Sequence, residues 1–192
     1  MSIHMKKIPD NAKKVFEGVI FDMYHWEQEM FDGSKSVFEA IRRHPSVTII
    51  AATNNKIIFN NEQQPGKLPF STLPGGQVEG EETPLSTAKR ELIEETGFES
   101  DSWEEWFVAD ASNMSKLEWN IHYFVARNCI KKTEPHLDGG EKIETTFLSL
   151  EELLEKRRGM TNRSAALEER LEKAANDETE KQKLQDLLGI TT

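Results

Sequence analysis

Cysteine is nearly absent: Cys129 is the single one among 192 residues. It cannot close an internal disulfide, so no covalent staple holds the fold, and the usage fits a reducing compartment. Set in the apolar run YFVARNCI, it reads as a small packed residue rather than a reactive thiol. Long apolar runs are missing as well, and none approaches the roughly 20 residues that cross a bilayer. The opening stretch MSIHMKKIPDNAKK carries charge and no apolar segment, so no secretory leader and no membrane partner is expected, and the location expected is cytoplasmic. Positive charge is scarce: 24 Lys and Arg face 34 Asp and Glu, a net charge of −10. Nucleic-acid partners select a basic face, which this composition does not supply. The histidines, His4, His25, His44, His122 and His136, have no metal-ligand spacing, which argues against zinc. What remains is a chain 36% hydrophobic and 30% charged, long enough to bury one sizeable core. An acidic protein that handles phosphates needs cations to bridge the repulsion.

The hydrophobic pattern gives the organisation. Residues 15–29 and 35–42, around the turn Phe31–Ser34, predict a hairpin. Residues 46–52 and 56–60, around Asn54-Asn55, predict a second, with a more buried first strand. A loop punctuated by three prolines and Gly66 is expected from Glu62 to Pro74. Pro84 to Gly97 reads as a helix, with Thr83 as N-cap, Pro84 in the first turn and Gly97 just past the end. Strands at 103–109 and 119–128, a polar loop at 131–141 and a strand at 143–148 follow. Ser149 caps the helix LEELLEKRR. The tail 161–188 is amphipathic and helical, broken at Asn176-Asp177, its apolar faces meant either for its own domain or for a partner. Strands outnumber helices and one long helix lies between strands, so the expected class is mixed α/β: an α/β/α sandwich with an N-terminal antiparallel β arm (1–45), a central domain (46–158) and a C-terminal helical tail (159–192).

The chemistry is concentrated in residues 75–98. Glu91 and Glu95 lie one turn apart on one face of the helix, and Glu94 borders it. Like charges so spaced destabilise a helix by about 0.2–0.5 kcal/mol per pair, and something must offset that. Arg90 can pair with Glu94, and a hard divalent cation can offset the rest. Gly75 and Gly76 let the backbone approach a phosphate or turn a carbonyl toward a metal. Glu79 and Glu82 lie between that loop and the helix, placed to add ligands or to pair with Arg90. A solvated acidic helix would show the same cluster, but the full pattern is more demanding. It reads G-x5-E-x7-R-E-U-x-E-E-x-G-U, with U a bulky apolar residue, filled by Gly76, Glu82, Arg90, Glu91, Leu92, Glu94, Glu95, Gly97 and Phe98.

This is the Nudix box, and the chain resembles the Nudix hydrolase family. The resemblance implies hydrolysis of a nucleoside diphosphate linked to a group X, giving a nucleoside monophosphate and X-phosphate. It implies a divalent metal, Mg²⁺ with Mn²⁺ as substitute, on Glu91, Glu94 and Glu95, joined by the Gly75 carbonyl. Arg90 would orient a glutamate, and Glu82 would be an outer metal ligand or Arg90's partner. The N-terminal arm and the Leu73-Pro74-Gly75-Gly76 approach resemble the ADP-ribose and nucleotide-sugar pyrophosphatase branch, whose arms exchange in a homodimer. In that branch a glutamate in a later loop serves as general base. Here the candidates are Glu141 first and Glu144 second. Gly76 and Glu79 would contact substrate, and Trp26 could stack a base. His122 faces either the site or the core. Two places depart from the branch: residues 111–115 lack its proline, and Glu62-Gln63-Gln64-Pro65 lacks the arginine of its Gln-x-Arg stretch. ADP-ribose itself therefore does not follow. A non-standard or oxidised nucleoside triphosphate, and a non-catalytic nucleotide sensor, stay open as alternatives.

Overall fold

A computed structural model of the chain describes residues 7–111, 116–161 and 164–191. The segment 112–115, where the family's proline was sought, lies outside the described residues, as does His4. The strands before the central helix are β1 (Lys13–Phe16), β2 (Phe21–Glu29), β3 (Lys35–Arg43), β4 (Ser46–Thr53), β5 (Lys56–Gln63) and β6 (Phe70–Thr72). Then come α1 (Pro84–Thr96), β7 (Phe98–Glu99), β8 (Ser102–Asp110), β9 (Leu117–Glu118), β10 (Asn120–Arg127), β11 (Ile130–Lys131) and β12 (Lys142–Leu148). The chain finishes with α2 (Leu150–Lys156), α3 (Ala165–Asn176) and α4 (Glu178–Leu188).

These elements fall into two compact units. The first holds the described residues up to Pro45 together with those of Asp110–Asn120; the second holds Ser46–Ala109 and everything from Ile121 onward. The first is a four-stranded sheet in the order β1-β2-β3-β9. Residues 15–29, expected as one strand, are two. The chain doubles back near Gly18, where a Cβ would lie 2.6 Å from the Phe21 carbonyl oxygen, and Lys13 then pairs with His25. Val15, Phe16, Val19 and Val37 are exposed.

The second unit is built on a six-stranded sheet in the order β12-β5-β4-β10-β8, with β6 on β5. β4 and β10 run parallel, Ile49 opposite Phe124, while β12 and β6 pair antiparallel with β5, so the sheet is mixed. The loop expected from Glu62 is shorter than its prolines suggested. β5 continues to Gln63 because β6 supplies a partner, Glu62 opposite Phe70. One face of the sheet packs on α1: Val47, Ile49, Ala51, Ile58, Phe124 and Ala126 enclose Ala88 and Leu92. Burying a leucine such as Leu92 stabilises by about 2 kcal/mol. Cys129 is in this core, and burial pushes its thiol up to about 11. Strand alternation sends Tyr123 to the other face, where its hydroxyl donates to Ser164 Oγ at 3.0 Å. The helices α2, α3 and α4 bury Leu153, Leu167, Leu171, Ala174, Leu184 and Leu188 in this same unit. Among the described residues no helix is long and apolar enough to cross a membrane.

Candidate active site

The site is organised by α1, whose ends are fixed locally. Thr83 and Ser86 form a reciprocal capping box, Pro84 occupies the first turn, and Gly97 closes the helix at φ 72° with its amide on the Ile93 carbonyl. A Cβ on Gly97 would lie 2.1 Å from the Thr133 carbonyl oxygen, so only glycine allows the 131–136 segment to pass there. That segment is also tied to the helix by the His136 amide on the Glu94 carbonyl, 2.8 Å.

With the helix axis set, its 3.6-residue period sorts the glutamates. Glu95 falls on the face against the sheet and is 6% exposed. Its Oε2 accepts from the buried Asn60 side chain at 3.0 Å and from the Gly75 amide at 3.1 Å. The carbonyls of Pro74 and Gly76, on either side of Gly75, accept from the Ile49 and Val47 amides. The loop is thereby stitched to β4 with the Gly75 amide turned to Glu95. Gly76 has no room for a side chain: a Cβ would stand 2.0 Å from Glu91 Oε1.

Arg90 is the hub on the outer side. Its Nε and Nη2 make a two-point contact with Glu82 at 2.9 and 3.1 Å, and Nη1 reaches Glu94 at 2.8 Å and Glu91 at 3.0 Å. Glu82 also accepts from Thr87 Oγ1 at 2.8 Å. Arg90 and Thr87 hold the Glu82 carboxyl down at about 2. In this arrangement Glu82 is Arg90's partner; of the two roles open to it, the contacts found are those of the ion pair.

Inside that guanidinium the balance reverses. Burial, then the charge of Glu141, pushes the Glu62 carboxyl up to about 7. Burial pushes Glu91 up to about 7 as well, with Arg90 opposing and Glu94 and Glu141 adding to the rise. Glu95 is raised well above the ordinary carboxylate range by burial, then by Glu62 and Glu91. Glu141 is raised by burial and by Asp138. Four carboxyl groups thus share one poorly hydrated region, and the guanidinium beside them, Arg90, is already engaged. Every donor there is a hard oxygen, the set that suits Mg²⁺ or Mn²⁺. Among the described residues no three acidic or imidazole side chains already converge on one point, so the fit rests on donor chemistry and on the charge left unbalanced.

The structure brings together Gly75, Gly76, Glu91, Glu95 and Glu141 from the residues read in the sequence, with Arg90, Glu82 and Glu94 adjoining them. It parts Glu144 from them. On β12, Thr145 shares a face with Asn60, its hydroxyl 3.4 Å from Asn60 Oδ1. Glu144, one residue away, points to the other face and is exposed. Glu79 is exposed too, its carbonyl taken by the Glu82 amide at 3.0 Å. Trp26 belongs to the first unit, where its ring lies 5.9 Å from Phe38. His122 pairs through Nδ1 with Glu105 at 2.7 Å. Asn60, Glu62 and Gln64 were not singled out from the sequence. The signal for the first two was the two-residue period of β5: Ile58 faces α1, so Asn60 and Glu62 must as well.

Comparison with known proteins adds four likenesses. The family described as NUDIX domain matches residues 42–170. The Methanol dehydrogenase activator of Bacillus methanolicus is 32% identical over 147 residues, 75% of this chain and 79% of that protein. The ADP-ribose pyrophosphatase of Bacillus subtilis (strain 168) is 28% identical over 145 residues, 74% of this chain and 78% of that protein. Among solved structures, an ADP compounds hydrolase superposes with a TM-score of 0.66 over 97% of this chain and 100% of that one. At 16% identity this speaks for the fold alone.

Proposed function

The chain belongs to the Nudix hydrolase family, and from that premise we propose that it hydrolyses the diphosphate bond of a nucleoside diphosphate linked to X, of the ADP-ribose or nucleotide-sugar type, to a nucleoside monophosphate and X-phosphate. The observation that carries this reading is the crowding of Glu62, Glu91, Glu95 and Glu141, whose mutual repulsion asks for a cation. The likeness to an ADP-ribose pyrophosphatase supports the substrate class.

Glu91, Glu94, Glu95 and the Gly75 carbonyl are assigned to hold Mg²⁺, or Mn²⁺ in its place. Such an ion supplies charge neutralisation of the diphosphate and a lowered pKa for the attacking water. The chain's own residues do the rest. Arg90 fixes the Glu91 and Glu94 carboxylates, and the Glu82 pair keeps that guanidinium from swinging away. Asn60 and the Gly75 amide hold Glu95 in one rotamer. Glu141, whose carboxyl burial raises above its ordinary value, is assigned to take the proton of the attacking water. The same reading extends to a cytoplasmic homodimer. The exposed Val15, Phe16, Val19 and Val37 of the first unit are the surface a second copy would cover.

A second reading follows from the relative named as a dehydrogenase activator: the same hydrolytic site would act within the regulation of a partner enzyme. Chromatographic product analysis separates the cases. ADP-ribose, ADP-, UDP- and GDP-sugars and nucleoside triphosphates are each incubated with Mg²⁺ and with chelator. Metal-dependent release of a nucleoside monophosphate from a diphosphate sugar is expected. Turnover of triphosphates alone would overturn the substrate class, and silence across the panel with tight binding of one compound would overturn both hydrolytic readings in favour of a non-catalytic nucleotide sensor.

A further inference from the structure

At Glu141 the second unit holds an open cavity of about 290 Å³, lined by two turns. The first is Gln64-Pro65-Gly66-Lys67. Proline sits at its second position, Gly66 has φ 76° at the third, and the Lys67 amide returns to the Gln64 carbonyl at 3.1 Å. Those are the marks of a type II turn. The turn brings its first and last side chains together, and Lys67 Nζ donates to Gln64 Oε1 at 2.6 Å. The second turn is Asp138–Glu141, closed by the Glu141 amide on the Asp138 carbonyl at 2.9 Å. At its centre, Gly139 and Gly140 face open space. Gln64 Nε2 reaches across to Glu141 Oε1 at 3.5 Å.

An ammonium carries three donors, and Gln64, a neutral partner, takes one. Among the described residues Lys67 makes no ion pair, although its charge is felt by both Glu62 and Glu141. The turn therefore presents at the edge of an acidic site a cation that no carboxylate contacts directly and that lies 5.8 Å from the Phe70 ring centre. The lining is Gln, Pro, Gly, Lys and Glu, with no aromatic ring to stack a base. Its donors and acceptors suit hydroxyls and a phosphate, and its volume lies at the small end of ligand pockets.

We propose that this cavity receives the X side of the diphosphate substrate, a phosphorylated sugar, and that Lys67 is the specificity residue that contacts its phosphate. The inference rests on the hydrolytic reading above.

The test compares Lys67→Met and Lys67→Arg with the wild-type chain. Lys67 is exposed, so neither change threatens the fold. Inorganic-metal conditions are held at saturating Mg²⁺, with ADP-ribose as substrate and ribose 5-phosphate and AMP as competing products. Lys67→Met should raise KM about tenfold with kcat within about twofold, a loss of uniform binding. It should weaken inhibition by ribose 5-phosphate about tenfold while leaving AMP unchanged, and Lys67→Arg should restore both. An unchanged ribose 5-phosphate constant, or an equal shift for AMP, overturns the proposal. If the wild-type chain hydrolyses nothing, the hydrolytic reading has failed. Calorimetric titration of ribose 5-phosphate into the wild-type chain and Lys67→Met then still decides whether Lys67 binds a sugar phosphate.

Discussion

Replacing Glu95 by glutamine removes one negative charge from the cluster and keeps the side-chain shape. Both hydrogen bonds to Glu95 end on the same oxygen, from Asn60 at 3.0 Å and from the Gly75 amide at 3.1 Å. The single oxygen of a glutamine can accept both, so the Asn60 and Gly75 donors keep their acceptor, and the new NH₂ takes the place of Oε1. The electrostatic cost of the carboxylate disappears. Because the native carboxyl is raised above its ordinary value of 4.5, the folded state binds a proton more readily than the unfolded chain. Metal-free stability therefore falls as pH rises above 4.5. At pH 8 the 3.5 units above that value cap the penalty at about 5 kcal/mol, at about 1.4 kcal/mol per unit. Relaxation of the cluster and solvent entry bring the expected gain for Glu95→Gln to about 1–2 kcal/mol, or about 2–8 °C in Tm for a domain of this size. Thermal unfolding in chelator at pH 5, 6.5 and 8 should show the variant near the wild type at pH 5 and increasingly above it at higher pH. Saturating Mg²⁺ should close the gap by stabilising the wild type more. Turnover should fall by about 10²–10³, as for loss of one preorganised charged group. A variant less stable than wild type in chelator at pH 8, or a gap that does not change with pH, would refute the argument.

The glycine before the helix gives a sharper steric test. Gly76→Ala drives a methyl to 2.0 Å from Glu91 Oε1, so the carboxylate must move, and kcat/KM should drop at least about tenfold while circular dichroism stays native. An active Gly76→Ala enzyme would show that Glu91 does not work from this position. For the general base, Glu141→Gln should lose about 10²–10⁴ in kcat, while Glu144→Gln, on the opposite face of β12, should stay within about twofold. The reverse ranking would return the role to Glu144.

What the sequence determined by itself was local. The ends of α1 follow from Thr83, Ser86, Pro84 and Gly97, each acting within one helical turn. The placing of Glu91, Glu94 and Glu95 around that helix follows from its period alone. The box pattern named the family because its constraints all lie within 23 consecutive residues, Gly76 to Phe98. The tertiary structure decided what depended on chain segments far apart. Glu62 looked like the start of a proline-rich loop, and only its pairing with Phe70 makes it a strand residue facing α1. Asn60 became Glu95's partner across 35 residues of chain. Glu141 and Glu144, first and second candidates for the general base, stand only three residues apart in the sequence. The register of β12 against β5, Glu144 opposite Asn61, turned Glu144 to the exposed face, since a one-residue step along a strand moves a side chain to the other face, while Glu141 stayed in the turn before the strand. Charge followed the same division: the sequence counted the carboxylates, and burial against the sheet decided which of them hold their protons near neutral pH.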